Sequence, residues 1–136
     1  MLGRRLRAND PTGARLSFAG ANLSGYDLSD GDFTGASFKG AYLCAANFAG
    51  AKLRRGDFQL AVADQADFYG ADAREALFSA AYCASARFAH ADLRGAAFVD
   101  ADLSGADFAH AQVEMTDWRG ATLDGASLPA KALPEP

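Results

Sequence analysis

Large apolar residues recur with a strict period of five along most of the chain. From Phe18 to Leu128, every fifth position holds one of 23 residues: ten Phe, eight Leu, two Ala, and single Cys, Val and Trp. Two positions before each of these, 18 of 23 residues are Ala. A period of five gives an α-helix no apolar face and places successive large residues on opposite sides of a long strand. The pattern predicts short strand segments separated by two-residue corners and wound into an all-β solenoid.

A second period sets the predicted number of sides in each coil. Phe recurs every ten residues from Phe38 to Phe108, with smaller residues between, so two kinds of side alternate. Stacking like on like needs an even number of sides; four is the smallest that encloses a volume, and six leaves too wide an interior. Each predicted coil then has 20 residues, and nearly six coils form a rod roughly 28 Å long. The predicted core contains two opposite stacks of large residues, whose phenylalanines are Phe18, Phe38, Phe48, Phe58, Phe68, Phe78, Phe88, Phe98 and Phe108.

One predicted layer of the core holds two large and two small side chains, namely Phe58, Ala63, Phe68 and Ala73. Two interpretations follow from this composition. In the first, the opposing rings meet and fill the space between them. In the second, the rod is pinched or bent at this layer, and the irregularity is used in recognition.

Several repeats share one motif, as in residues 21–25 (ANLSG), 91–95 (ADLRG) and 101–105 (ADLSG). The sequence resembles the pentapeptide repeat protein family, whose repeat is commonly written A(D/N)LXX. This resemblance covers residues 16–130, about 85% of the chain. It implies the right-handed quadrilateral parallel β-helix of that family. It implies less about function, because the motif residues build a scaffold and carry no chemistry.

Charge divides the chain into an acidic body and a basic end. Residues 1–15 lie outside the register, carry four Arg and one Asp, and are predicted to form a basic cap or arm. Residues 16–130 carry 8 basic and 15 acidic side chains, which gives a net charge of −7 within a total of −4. Residues 131–136 form a short C-terminal tail. The predicted body is an acidic rod about as wide as duplex DNA.

Eleven Asp and Asn residues stand directly before a large interior residue, and we interpret them as backbone caps. Such short side chains accept hydrogen bonds from nearby backbone N–H groups at turns. They are Asn22, Asp27, Asp32, Asn47, Asp57, Asp67, Asp72, Asp92, Asp102, Asp107 and Asp117.

No motif in the sequence predicts catalysis or a cofactor. A phosphate-binding glycine loop, a Gly-x-Ser-x-Gly elbow, His-Glu-x-x-His and Cys-x-x-Cys are all missing from it. His90 and His110 occupy the same corner one coil apart, but no further metal ligands accompany them. The unbroken repeats also leave no long loops on which catalytic groups usually lie. We therefore expect a protein that is not an enzyme and that holds no metal or cofactor.

The sequence also indicates a cytoplasmic protein. The longest apolar stretch, residues 80–84, is far shorter than the roughly 20 residues that span a bilayer. Two Cys in a chain of this size do not make a disulfide framework, which favours a reducing compartment.

Three outward-facing groups of residues are candidate contact surfaces. The first is an apolar patch formed by Tyr42, Leu60, Val62, Leu77, Tyr82 and Val99. The second is an acidic column formed by Asp27, Asp67 and Asp107, with Asp30 at its corner. The third is the apolar C-terminal end formed by Val113, Met115, Trp118, Leu123 and Leu128. This end is predicted either to be covered by the tail or to join two chains in a homodimer. A fourth column, Arg54, Arg74 and Arg94, alternates with carboxylates and predicts an ion-pair ladder rather than a nucleic-acid site.

Two functional hypotheses remain open. The first is a structural or protein–protein interaction module that binds an unidentified partner through the apolar patch. The second is implied by the resemblance, because some pentapeptide repeat proteins imitate duplex DNA and bind DNA gyrase or related type II topoisomerases, protecting or inhibiting the enzyme. An acidic rod suits a basic DNA-binding groove, although −7 over this length is sparse beside one charge per roughly 1.7 Å in B-DNA. Neither hypothesis includes direct nucleic-acid or membrane binding.

Overall fold

Parallel pairing between successive coils of the backbone builds the molecule. The computed structural model describes residues 16–130, where 19 isolated bridges each join a residue to the one 20 positions later, from Ser17↔Ser37 to Asp107↔Ser127. Within that range there is no helix, and each strand segment is a single bridged residue. The predicted all-β solenoid is confirmed, and four five-residue sides make up each 20-residue coil. The predicted arm (1–15) and tail (131–136) lie outside the described residues.

Two sets of backbone hydrogen bonds fix the register between coils. Within the strand segments, Phe58 N donates to Leu77 O of the next coil at 2.7 Å, and Val62 N donates to Ala41 O of the previous coil at 2.9 Å. At the corners, Gly40 N donates to Gln59 O at 2.9 Å. The same pattern repeats through the solenoid, so residues 20 positions apart lie directly above one another.

Each corner is a β-turn closed by its own hydrogen bond, as from Ala41 N to Phe38 O at 3.0 Å. The second corner residue has a positive φ, between 57° and 73°, at every corner from Gly20 to Gly125. Ten of these residues are Gly and twelve are not, Leu60 and His90 among the latter. Type II turns require such a φ at their third residue, and it costs a non-glycine residue roughly 1–2 kcal/mol.

Two stacks of aromatic rings fill the interior. Phe38, Phe58, Phe78 and Phe98 form one stack with centroids 4.8–4.9 Å apart. Phe48, Phe68, Phe88 and Phe108 form the other, at 4.8–5.1 Å. All eight are fully buried, whereas Phe18, in the first described coil, is only partly buried. Burying each ring contributes on the order of 2 kcal/mol before conformational entropy is subtracted.

The layer with two alanines is filled by its aromatic rings. Phe58 and Phe68 meet edge to face, with centroids 5.7 Å apart and planes at 86°. Ala63 and Ala73 are buried beside them, and each ring stacks on the next coil at 4.8 Å. The first interpretation of this layer therefore matches the geometry, since the stacks continue through it without interruption.

The predicted Asp and Asn caps are all formed. In each of the eleven, Oδ1 accepts a hydrogen bond from the backbone N–H two residues later, at 2.9–3.3 Å. These side chains hold the start of each corner and are therefore part of the scaffold. None of the residues from 16 to 130 belongs to a helix long and apolar enough to cross a membrane.

Candidate interaction surface

The solenoid has four faces, which we name by the outward residues at the centre of each repeat. The tyrosine face carries Asn22, Tyr42, Val62, Tyr82, Asp102 and Thr122. The acidic face carries Asp27, Asn47, Asp67, Arg87, Asp107 and Ser127. The arginine face carries Asp32, Lys52, Asp72, Asp92 and Gln112. The leucine face carries Ser17, Ser37, Asp57, Leu77, Ala97 and Asp117.

Most of the predicted apolar patch is exposed on the tyrosine face and its corner with the leucine face. Tyr42, Leu60 and Tyr82 are each 53% exposed, and Leu77 is 40% exposed. Bridges place Val62 directly between the two tyrosines, where it is half-buried, as is Val99. Strand spacing of about 4.8 Å puts the tyrosines roughly 10 Å apart along the rod. The patch is a narrow apolar strip with an aromatic ring at each end.

Carboxylates lie beside this strip, and the cations nearest to it in the repeat register, Lys39 and Arg119, lie at its corner with the leucine face. Asp64, Asp102 and Asp124 lie in the repeats of the tyrosine face, which contain no Lys or Arg, and Asp100 occupies the preceding corner. Among the described residues, none of the four forms an ion pair. Burial raises the pKa of the Cys83 thiol, and the carboxylates of Asp64 and Asp102 raise it further. Both carboxylates therefore lie near the buried Cys83 thiol.

The arginine face has the opposite character. Arg74 and Arg94 each pair with the carboxylate two residues before them, Asp72 at 2.7 Å and Asp92 at 2.6 Å. Arg74 also reaches Asp92 at 3.8 Å, which links neighbouring coils. Hydrogen bonds from Arg74 and Arg94 lower the pKa values of Asp72 and Asp92, respectively. The geometry matches the predicted ion-pair ladder.

Arg54 extends the ladder, since its Nε lies 3.7 Å from Glu75. The five repeats of the arginine face together hold five basic and five acidic side chains. Their charges balance within the face, which leaves no excess of either sign for a partner.

The predicted acidic column is interrupted by a cation. Arg87 binds Asp67 at 3.1 Å and lies 5.1 Å from the centroid of the Tyr69 ring. One carboxylate oxygen of Asp107 forms its cap by accepting a hydrogen bond from Ala109 N at 2.9 Å. Asp27 caps Ser29 in the same way, and Asp30 stands exposed at the corner. The column therefore presents separated charges rather than a continuous acidic stripe.

Tyr69 is an exposed ring that the sequence reasoning did not single out. It also lies 5.3 Å from His90, which stacks on His110 at 4.9 Å, as the corner register predicted. The repeat register could have indicated the contact between Tyr69 and Arg87, because Arg87 bridges Asp67 and Tyr69 lies two residues after Asp67. Between residues 16 and 130, no group of three or more His, Cys, Asp or Glu side chains is arranged to hold a metal ion.

The C-terminal end continues the aromatic core, but its large apolar side chains are less buried than those in the middle of the rod. Trp118 stacks on Phe98 at 5.2 Å, and Val113, Leu123 and Leu128 are half-buried against the core. Met115 is 88% exposed and, with the residues up to Arg119, borders an open depression of about 480 Å³. The Trp118 indole N–H is buried without a hydrogen-bond partner among the described residues.

Repeats of five residues, an inter-coil spacing of 20 and capped corners define the class of solenoid that pentapeptide repeats form. The family described as "Pentapeptide repeats (8 copies)" matches residues 12–48, 43–79, 81–117 and 101–129. The chain belongs to the pentapeptide repeat family.

Several solved structures share this fold. The pentapeptide repeat protein Rfr23 from the cyanobacterium Cyanothece 51142 is 21% identical, with a TM-score of 0.81 over 82% of this chain and 90% of that one. A pentapeptide repeat protein of the Arabidopsis thaliana thylakoid lumen is 28% identical, with a TM-score of 0.58 over 72% and 65%. QnrB1, described as a plasmid-mediated fluoroquinolone resistance protein, is 20% identical, with a TM-score of 0.67 over 93% and 70%. A search of curated proteins found no significant match.

Proposed function

We propose that this protein is a non-catalytic interaction rod that docks a protein partner on the apolar patch of its tyrosine face. The exposure of Tyr42, Leu60 and Tyr82, each 53%, carries the proposal. Tyrosine is enriched among the residues that dominate binding energy at interfaces, and apolar patches with a polar rim are typical of contact surfaces. In this proposal the rod is right-handed, contains about 23 repeats in nearly six coils, and acts in the cytoplasm without a cofactor.

Rigidity of the scaffold supports the proposal. Every corner from Gly20 to Gly125 is closed by a backbone hydrogen bond, and no insertion interrupts the repeats between residues 16 and 130. A surface fixed in this way does not have to be ordered when it binds, which lowers the entropic cost of association. The patch is therefore prepared for contact before the partner arrives.

Removing the two aromatic rings tests the proposal. The Tyr42→Ser/Tyr82→Ser variant is compared with wild type in affinity capture from an extract of the source organism. Tyr69→Ser, which removes an exposed ring from the acidic face, is the matched control. A partner retained by wild type and by the control, but lost from the double variant, is the expected result. Equal retention by all three folded proteins would contradict the proposal.

Charge distribution favours a second candidate, the binding of a type II topoisomerase by the acidic rod. The tyrosine and acidic faces are neighbours and each carries a net charge of −3, whereas the arginine face is neutral. The fold likeness to QnrB1, a fluoroquinolone resistance protein, makes gyrase the first enzyme to test. Added protein is expected to change gyrase supercoiling, or to protect it from a fluoroquinolone, at micromolar concentration. If the added protein changes neither supercoiling nor fluoroquinolone inhibition, this candidate is excluded.

Homodimerisation through the C-terminal end is a separate proposal. It is supported by the incomplete cover over Trp118, Leu123 and Leu128 and by the exposure of Met115. Light scattering of wild type against Trp118→Ala tests it, with a dimer expected only for wild type. If wild type and Trp118→Ala are both monomeric at high concentration, the dimer proposal is refuted.

A further inference from the structure

We propose that the partner segment of the tyrosine face is apolar and cationic: its apolar side chains cover the patch, and its Lys or Arg side chains reach Asp64 beside the patch and Asp102 at its end. This inference rests on the proposed function and adds the chemistry of the partner. It follows from the carboxylates beside the patch, from their lack of cationic partners, and from their order along the face.

The order of residues gives the face a direction. Tyr42, Val62 and Tyr82 form successive rungs, and the next rung is Asp102, which bridges Tyr82. The apolar part of the face is followed by its acidic part, where Asp100 and Asp124 add two more carboxylates at the corners. Three rungs of about 4.8 Å separate Tyr42 from Asp102, roughly 14 Å or about four residues of extended chain.

The orientations of the two nearest carboxylates are fixed. Asp102 Oδ1 accepts hydrogen bonds from the backbone N–H of Ser104 at 3.1 Å and from its hydroxyl at 2.7 Å. Asp64 Oδ1 accepts from Ala84 N at 3.1 Å. The second oxygen of each group has no hydrogen bond among the described residues. Each carboxylate is held in place and presents an acceptor to an incoming donor.

The arginine face shows what these carboxylates lack. There, Asp72 and Asp92 sit in the same position of the repeat as Asp102, and each receives a guanidinium from its own chain. On the tyrosine face position 104 is Ser rather than Arg, so the charge of Asp102 is unmatched. A Lys or Arg of the partner supplies the missing cation, whereas an acidic peptide or a nucleic-acid phosphate is repelled.

A selection of random peptides displayed on phage, performed on the full chain, tests the inference without a known partner. The selected peptides are synthesised with a fluorescent label, and their affinities are measured by anisotropy. We expect them to combine aromatic or aliphatic residues with Lys or Arg. We also expect their affinity to fall as salt is raised, because added ions screen exposed charges.

Two isosteric variants separate charge from structure. Asp64→Asn/Asp102→Asn keeps both Oδ1 acceptors and removes both charges. Asp107→Asn on the acidic face is the matched control, since Asp107 makes the same kind of cap to Ala109 N. We expect the double variant to bind the peptides about three- to tenfold more weakly at low salt, consistent with two exposed ion pairs. The control is expected to bind as wild type does.

The outcomes distinguish this inference from the proposed function. Peptides without cationic enrichment, or with unchanged affinity for Asp64→Asn/Asp102→Asn, overturn the inference. If those peptides still lose affinity for Tyr42→Ser/Tyr82→Ser, the apolar contact stands without the cationic contacts. Peptides that are indifferent to all four substitutions, or a selection that yields no binders, count against both.

Discussion

The tyrosine and arginine faces share one backbone and differ in what they display. Both are built from the same bridges and turns, and both cap their corners with aspartates, as at Asp102 and Asp92. On the arginine face two of the three capping carboxylates, Asp72 and Asp92, also pair with an arginine, whereas the tyrosine face has exposed aromatic rings and unpaired carboxylates. The difference shows that the shared core, turns and caps form the scaffold, while the remaining outward positions are free to define a contact surface.

The largest expected effect comes from the core that both faces share. Phe68→Ala removes a buried ring that stacks on Phe48 and Phe88 in a layer already holding two alanines. Because the cavity cannot be filled by its small neighbours, we expect a loss of about 3–5 kcal/mol in the free energy of unfolding. Urea denaturation measures it. The partly buried Phe18 is the control, and an equal loss for Phe18→Ala would contradict the assignment of the core.

The second prediction measures how much the ion pairs add to an aspartate cap. Asp102→Ala removes a cap and the hydrogen bond from the Ser104 hydroxyl, but no ion pair, and is expected to cost about 1 kcal/mol. Asp92→Ala removes a cap together with the contacts to Arg94 and Arg74, so its cost should exceed that of Asp102→Ala by up to about 1 kcal/mol. Denaturation of both variants gives the difference. A larger loss for Asp102→Ala would show that the two caps are not equivalent.

The third prediction separates display from stability at one corner. Leu60 has a φ of 62° and is 53% exposed, so its side chain adds to the patch while its backbone is strained. Leu60→Gly is expected to raise the free energy of unfolding by about 0.5–1 kcal/mol, although it trims the patch. Gly40→Ala, in the corner one coil earlier with open space around its added Cβ, should lower it by a similar amount. Thermal or urea unfolding measures both changes. If both variants change the free energy of unfolding in the same direction, the backbone strain at Leu60 is refuted.

The smallest expected effect is the part of the pH dependence that arises from Asp72 and Asp92 on the arginine face. The pKa values of Asp72 and Asp92 are lowered in the folded protein from a reference of 3.8. Their contribution to stability is therefore complete above about pH 4 and is lost as the pH falls through the lower folded values. The melting temperature of Asp72→Asn/Asp92→Asn should fall less than that of wild type between about pH 5 and pH 2. Parallel curves for the two proteins would contradict this origin.

The sequence was sufficient to predict the fold and the positions of the outward columns. The period of Phe and Ala determines which residues face inward, and the spacing of ten predicted the coil that the bridges show. The same register placed His90 beside His110 and all eleven aspartate and asparagine caps at their corners. Periodicity succeeds here because an unbroken lattice leaves no loop to move a residue out of its column.

What the register does not contain is the conformation and reach of individual side chains. It placed Val62 and Val99 on the surface, where both are only half-exposed. It did not indicate that Arg87 leans over Tyr69, because that contact depends on the rotamers of two long side chains. The left-handed backbone at Leu60 is not evident from the residue type either, since twelve corners carry a residue other than glycine at this position.

Because residues 20 positions apart share a column, the length of the chain determines which outward residues lie together on a face. Inserting five residues after residue 60 would leave every inward position filled, yet it would rotate all later columns by one face, so that Tyr82 would no longer follow Tyr42. Inserting 20 residues would restore the alignment and lengthen the rod by about 4.8 Å. Changes of chain length in this fold are therefore changes of surface pattern, and only multiples of a whole coil preserve a binding face.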